Sequence, residues 1–233
     1  FGSRYYSSDL SIWLSVDPMA AKYASLSPYN YCANNPVKLV DPEGEAWETP
    51  EDEIMANELK EKAMNKIDRI NHQIDQLYQK KDHTNNDRKA NNTQKIIDYL
   101  ETQKSFLDEG IKTIDDMGSR KEYTFHFNET NNRHSNVTQR GGDNNGIIDI
   151  NIFSEIRHET AWHEMVHIGD WLSGNSNYGF CDGLLGAFND TKGIFEKHAY
   201  QSEFSFSNKR FLEFNINSLY KIDEYTYKKF ENR

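Results

Sequence analysis

Two histidines flank a three-residue interval, with a glutamate directly after the first, at His163-Glu164-Met165-Val166-His167. On an α-helix, side chains four apart share a face, so both imidazoles would converge on one ion. Imidazole nitrogen is a zinc ligand, and a catalytic zinc takes three protein ligands and keeps one position open. Glu164 lies beside the first imidazole, where a carboxylate can reach a water polarised by the ion and take its proton. The spacing therefore supports zinc-assisted hydrolysis with Glu164 as general base. A third ligand must come from elsewhere in the chain.

This chemistry requires the motif to be helical, and its flanks agree. Ala161, Trp162, Met165, Val166 and Ile168 predict a buried helix over about 155–172, stopped by Ser173-Gly174-Asn175. Just ahead, Ile148, Ile150 and Ile152 alternate with Asp149 and Asn151, which predicts a strand entered through Asp143-Asn144-Asn145-Gly146. Its polar alternate positions suit an edge or half-exposed strand. Tyr123, Phe125 and Phe127 alternate with Thr124 and His126 and predict another strand. After the motif come a Gly- and Asn-rich loop, a helix over about 192–206, and a helical tail rich in Tyr and Lys. On that later helix Glu196, Tyr200 and Glu203 share a face, at spacings of four and three. His126 and His158 read as ordinary strand or surface histidines, and Trp162 and Trp171 as packing residues.

Upstream, residues 51–117 are poor in aromatics and rich in charge. Ala63, Ile67, Ile70, Ile74 and Leu77 form one helical stripe, and Ile97, Leu100, Leu107, Ile111 and Ile114 form a second. A polar turn over His83–Asn92 between them predicts a helical hairpin that serves as spacer or packing element.

Taken together, the motif and the later helix resemble the gluzincin metallopeptidases, in which a second helix supplies glutamate in a Glu-x-x-Ala-Asp/Tyr context. The resemblance implies Glu196 as third ligand, with Ala199 as the small residue that lets the helices pack closely. Tyr200 stands in place of the usual Asp. Glu203 is the competing ligand, and Asp182 and His198 are further candidates. The metzincin pattern does not match, because Ser173 and Asp170 replace its third His and its Gly. Tyr200, Tyr178 and His198 are candidate donors to a reaction oxyanion, with Tyr200 taken as catalytic. The resemblance also implies that strand 147–153 binds an extended substrate, and that the fold is α+β and zincin-like. Such a fold has a small twisted sheet and the metal-motif helix, here preceded by the helical hairpin.

The N-terminal residues carry a second resemblance. Arg4-Tyr5-Tyr6, Trp13-Leu14-Ser15-Val16-Asp17-Pro18, Leu26-Ser27-Pro28-Tyr29-Asn30-Tyr31 and Asn34-Asn35-Pro36-Val37 through Asp41-Pro42-Glu43-Gly44 are similar to the closing segment of the Rhs/YD-repeat-associated core. That family's proteins enclose a variable C-terminal toxin, so the resemblance implies three parts: an Rhs stub over 1–45, the hairpin over 46–118, and a metallopeptidase toxin domain over 119–233. In the family the boundary is cut by an aspartyl autoprotease, and Asp17 and Asp41 match its aspartates. Met19-Ala20 and Glu45 depart from its pattern, and a simple turn role for both aspartates stays open. The resemblance further implies secretion or delivery into a target cell within a larger bacterial effector, a protein or peptide substrate, and a cognate immunity protein.

Composition narrows the alternatives. The 233 residues carry a formal net charge of −10, and no cluster of Lys and Arg offers a phosphate-backbone footprint. This argues against a nucleic-acid partner and against a nuclease toxin. No apolar run is long enough for a membrane span. Cys32 and Cys181 lie far apart; they could bridge in an oxidising compartment, but two free thiols is the commoner reading of such spacing. The remaining rival is a binding or pore-forming effector in which the metal motif is structural.

Overall fold

The computed structural model describes residues 6–7, 12–16, 27, 29, 47–120, 122–131, 135–140, 146–175, 177–188, 193–208, 211 and 216–223. Asp17, Asp41 and Cys32 lie outside the described residues. Near the N-terminus, Tyr6–Ser7 (β1) and Ile12–Trp13 (β2) pair antiparallel.

The first long helix, α1 (Pro50–Asp82), starts where local chemistry dictates. Pro50 has no N–H to satisfy at the first helical position. Thr49 and Asp52 cap the end reciprocally: the Asp52 amide donates to Thr49 Oγ1 at 3.2 Å, and the Thr49 amide donates to Asp52 Oδ2 at 2.9 Å. Asp52 is buried because it has a second task. It also accepts from the Phe127 amide at 2.7 Å and contacts His126 Nδ1 at 3.0 Å, tying the helix to the sheet.

The second helix, α2 (Asp87–Gly118), begins earlier than expected. Asn86 caps it by accepting from the Lys89 amide at 3.0 Å. Asn91 and Asn92, expected in the turn, lie on its solvent face. There, polar side chains cost the helix little. The two apolar stripes meet as expected: Ala63, Ile70, Ile74, Ile97, Leu107 and Ile114 are buried.

Five strands form one mixed sheet: β3 (Thr124–Thr130), β4 (Asn136–Gln139), β5 (Ile147–Phe153), β6 (Tyr178–Cys181) and β7 (Leu184–Ala187). Their order is β3-β5-β4-β7-β6, with β3 and β5 parallel and the other pairs antiparallel. Of the two alternatives for β5, edge or half-exposed, the structure takes the second: over Ile148–Asn151 it pairs with β3 on one side and β4 on the other, while Asp149 and Asn151 stay half-buried. Its polar positions are satisfied across the sheet. Asn128 donates to Asn151 at 2.8 Å, and Asn151 donates to Asn136 at 2.8 Å. The expected loop after the motif contains the β6–β7 hairpin, turned by Asp182 and Gly183 at φ of 52° and 78°. Asp-Gly with both residues at positive φ is the two-residue turn whose twist matches antiparallel strands.

The motif helix, α3 (Arg157–Leu172), follows β5 after one 3₁₀ turn over Ser154–Ile156. It packs on α2, β5 and a fourth helix, α4 (Ile194–Phe206). The contact with α2 is close enough to require glycine. A Cβ on Gly110 would overlap the Trp162 indole, and one on Gly169 would overlap the Thr113 hydroxyl. Trp162 stacks on Phe206, with ring centroids 4.3 Å apart, and donates from Nε1 to Ser202 at 3.0 Å. The hairpin, α3 and the sheet thus share one apolar core. A smaller cluster of Tyr200, Phe204, Phe211, Ile216, Leu219 and Ile222 packs together. Of the expected helical tail, the described residues show a 3₁₀ turn at Leu219–Lys221. Among the described residues no helix is long and apolar enough to cross a membrane.

Candidate metal centre

The residues from Thr160 to Ile168 are all buried, so α3 presents His163, Glu164 and His167 inside the fold. The spacing of four brings the imidazoles together: His163 Nε2 and His167 Nε2 are 3.3 Å apart. From α4, Glu196 faces both, with Oε2 at 3.4 Å from His163 Nε2 and Oε1 at 3.4 Å from His167 Nε2. These three residues form a group able to hold a metal ion.

The separations test whether zinc fits. Ligand atoms about 2.0–2.1 Å from a tetrahedral zinc stand roughly 3.3–3.4 Å from one another. The two Nε2 atoms stand at that separation, and each Glu196 oxygen lies at that distance from one of them. These contacts are longer than the usual charge-assisted hydrogen bond of about 2.7–2.9 Å, which leaves space for an ion between the carboxylate and the imidazoles.

Charge agrees with geometry. Burial opposes a proton on His163, but hydrogen bonds to Glu196 and Glu203 outweigh it and push the imidazole up to about 10. Burial would raise the Glu196 carboxyl, yet its bonds to the two histidines hold it well below the usual range. Without metal, the contacts to Glu196 and Glu203 favour a proton on His163. A divalent cation at the same point would replace that proton.

Glu203, the competing ligand in the sequence, takes a different position. Its fully buried carboxylate meets His163 Nδ1 at 3.1 Å, on the side of the ring away from Glu196. A carboxylate there fixes the tautomer and orientation of a ligating imidazole. Tyr200, one turn after Glu196, is buried with its ring 4.5 Å from that of His163. Tyr178 of β6 stacks on His167, with centroids 5.7 Å apart and planes 17° from parallel. His167 Nδ1 is buried without a hydrogen-bond partner among the described residues.

The other candidates lie elsewhere. Asp182 is exposed in the β6–β7 turn. His198 bridges Asp170 of α3 and Glu109 of α2 at 3.4 and 3.3 Å. Those bonds outweigh its burial and push it up to about 9. His158 meets Glu58 at 3.0 Å. A second group of possible ligands, Glu48, His126 and Asp149, surrounds a cation already present. Arg140 donates to both carboxylates, at 2.7 Å to Glu48 and 2.9 Å to Asp149.

One partner of the motif went unnoticed in the sequence. The Ser135 hydroxyl, just ahead of β4, donates to Glu164 Oε1 at 2.6 Å. No spacing rule links positions 29 residues apart. The strand expected to bind an extended substrate is also corrected, because pairing on both sides occupies the central β5 backbone.

The chain matches no family model, no curated protein and no solved structure.

Proposed function

We propose that this chain is a zinc-dependent endopeptidase, with His163, His167 and Glu196 as metal ligands and Glu164 as general base. The observation that carries the reading is the approach of the two Nε2 atoms to 3.3 Å with one Glu196 oxygen 3.4 Å from each of them, beside a buried glutamate. Zinc in such a site supplies a Lewis acid and lowers the pKa of water from 15.7 towards about 7.

The chain's own residues do the rest. Glu203 holds the His163 ring. Glu164 takes a proton from the attacking water and delivers it to the departing amine nitrogen, as one group serving first as base and then as acid. Tyr178 and Tyr200, which flank the two histidines, are the candidates for a further donor to the oxygen of the attacked carbonyl.

The resemblance of residues 1–44 to the end of an Rhs core extends the proposal. The peptidase would be the toxin tip of a larger bacterial effector, delivered to a target cell and blocked in its producer by an immunity protein. Zinc analysis together with a proteome-wide cleavage comparison of wild type and Glu164→Gln tests this. One zinc per chain in both, with cleavage confined to wild type, is the expected result. Equal effects of the two proteins on target cells would shift the reading to a binding effector with a structural metal.

A further inference from the structure

We infer that Ser135 is a positioning residue that holds the Glu164 carboxylate in its working orientation. This inference rests on the hydrolytic reading of the centre. Glu164 is only 5 % exposed, and a buried carboxylate needs hydrogen-bond donors to remain in place. The Ser135 hydroxyl donates to Oε1 at 2.6 Å, the range of a charge-assisted O–H···O⁻ bond.

The donor is itself well anchored. Asn136, the next residue, pairs with Asn151 of β5, and its side chain accepts from Asn151 Nδ2 at 2.8 Å. Asn151 also donates to Thr138 Oγ1 at 3.0 Å. β4 pairs with β5, and β5 leads through one 3₁₀ turn into α3, so the hydroxyl is tied through the sheet to the helix that carries the carboxylate. A carboxylate that moves a proton needs one oxygen free and the other fixed. Oε1 is the fixed atom, and Oε2 is left for the proton.

Removing the base altogether typically costs about 10²–10⁴-fold. Losing only its orientation should cost less, and we expect about a 10-fold fall in kcat for Ser135→Ala. KM and zinc affinity should stay within about 2-fold, and Ser135→Thr, which keeps the hydroxyl, should recover most of the loss.

The experiment has two arms. Crystal structures of zinc-loaded wild type and Ser135→Ala should show Glu164 in one rotamer in the first and turned or split in the second. Hydrolysis of fluorescently labelled casein by wild type, Ser135→Ala, Ser135→Thr and Glu164→Gln gives the kinetic split. An unmoved Glu164 with wild-type kcat in Ser135→Ala overturns the inference. So does a kcat loss matched by an equal loss of zinc affinity, since the role would then be structural. If wild type leaves casein uncut while Glu164 still turns in the variant, the positioning stands and the peptidase reading loses its support.

Discussion

Replacing Glu203 by Gln should weaken zinc binding without abolishing it. The carboxylate meets His163 Nδ1 at 3.1 Å and is fully buried, so solvent cannot take over its role. Glutamine has nearly the same shape and can still accept from Nδ1–H, but it removes the negative charge that raises the basicity of the opposite nitrogen. Loss of such an outer partner typically costs about 10–100-fold in metal affinity, or roughly 1.4–2.7 kcal/mol. Glu196→Ala removes a ligand itself and should cost considerably more. Competition titration against a chromogenic zinc chelator, at fixed pH and with all proteins stripped of metal, measures both. Wild-type affinity in Glu203→Gln would refute the orienting role. A larger loss in Glu203→Gln than in Glu196→Ala would transfer the ligand role to Glu203.

Gly110→Ala should lower stability by about 1–3 kcal/mol, because the new methyl overlaps the Trp162 indole and forces α2 and α3 apart; urea unfolding measures it, and Gly186→Ala, with nothing within 4 Å of its added methyl, is the control. Asp52→Ala should cost about 2–4 kcal/mol, since it removes the α1 cap and leaves the buried Phe127 amide unpaired; a loss no larger than that of Thr49→Ala would show that the Phe127 bond contributes nothing. His198 is raised to about 9 by its carboxylate partners, against an unfolded value near 6.5. The folded state therefore binds more protons between those values, so its contribution is complete below about pH 6.5 and is lost as pH rises through about 9. After screening at the exposed Glu109, this is worth about 1–2 kcal/mol. Unfolding of wild type and His198→Gln at pH 6, 7.5 and 9 should show the gap between them closing as pH rises, and a constant gap would contradict the pairing. Zinc binding at pH 7.5 should release protons, because Glu196 and Glu203 hold the His163 imidazole above its usual pKa in the metal-free protein and the ion displaces that proton; calorimetry in buffers of different ionisation enthalpy reads the release, and none at all would contradict the shift.

Local and periodic features were legible in the sequence. The apolar stripes of α1 and α2 and the alternation in β3 and β5 mark their elements, because burial on one face imposes a period that needs no knowledge of the partner. The convergence of His163 and His167 follows from helical geometry alone. The β6–β7 hairpin was also legible in principle, through Asp182-Gly183 between two short apolar runs, but strands of four residues carry almost no periodic signal. Other features were decided only by tertiary structure. That β5 is central depends on which strands lie beside it, since its polar positions suit an edge or a half-exposed strand alike; the bonds of Asn128 and Asn136 with Asn151 satisfy them inside the sheet. Glu196 and Glu203 lie on one helical face at spacings that leave their roles open. The approach of α4 to α3 sets Glu196 against the Nε2 atoms and Glu203 against Nδ1. Ser135 reaches Glu164 only because β4 pairs with the strand that leads into α3. A side chain's spacing along the chain limits which neighbours it can share locally, but its partners across the fold are set by how whole elements pack.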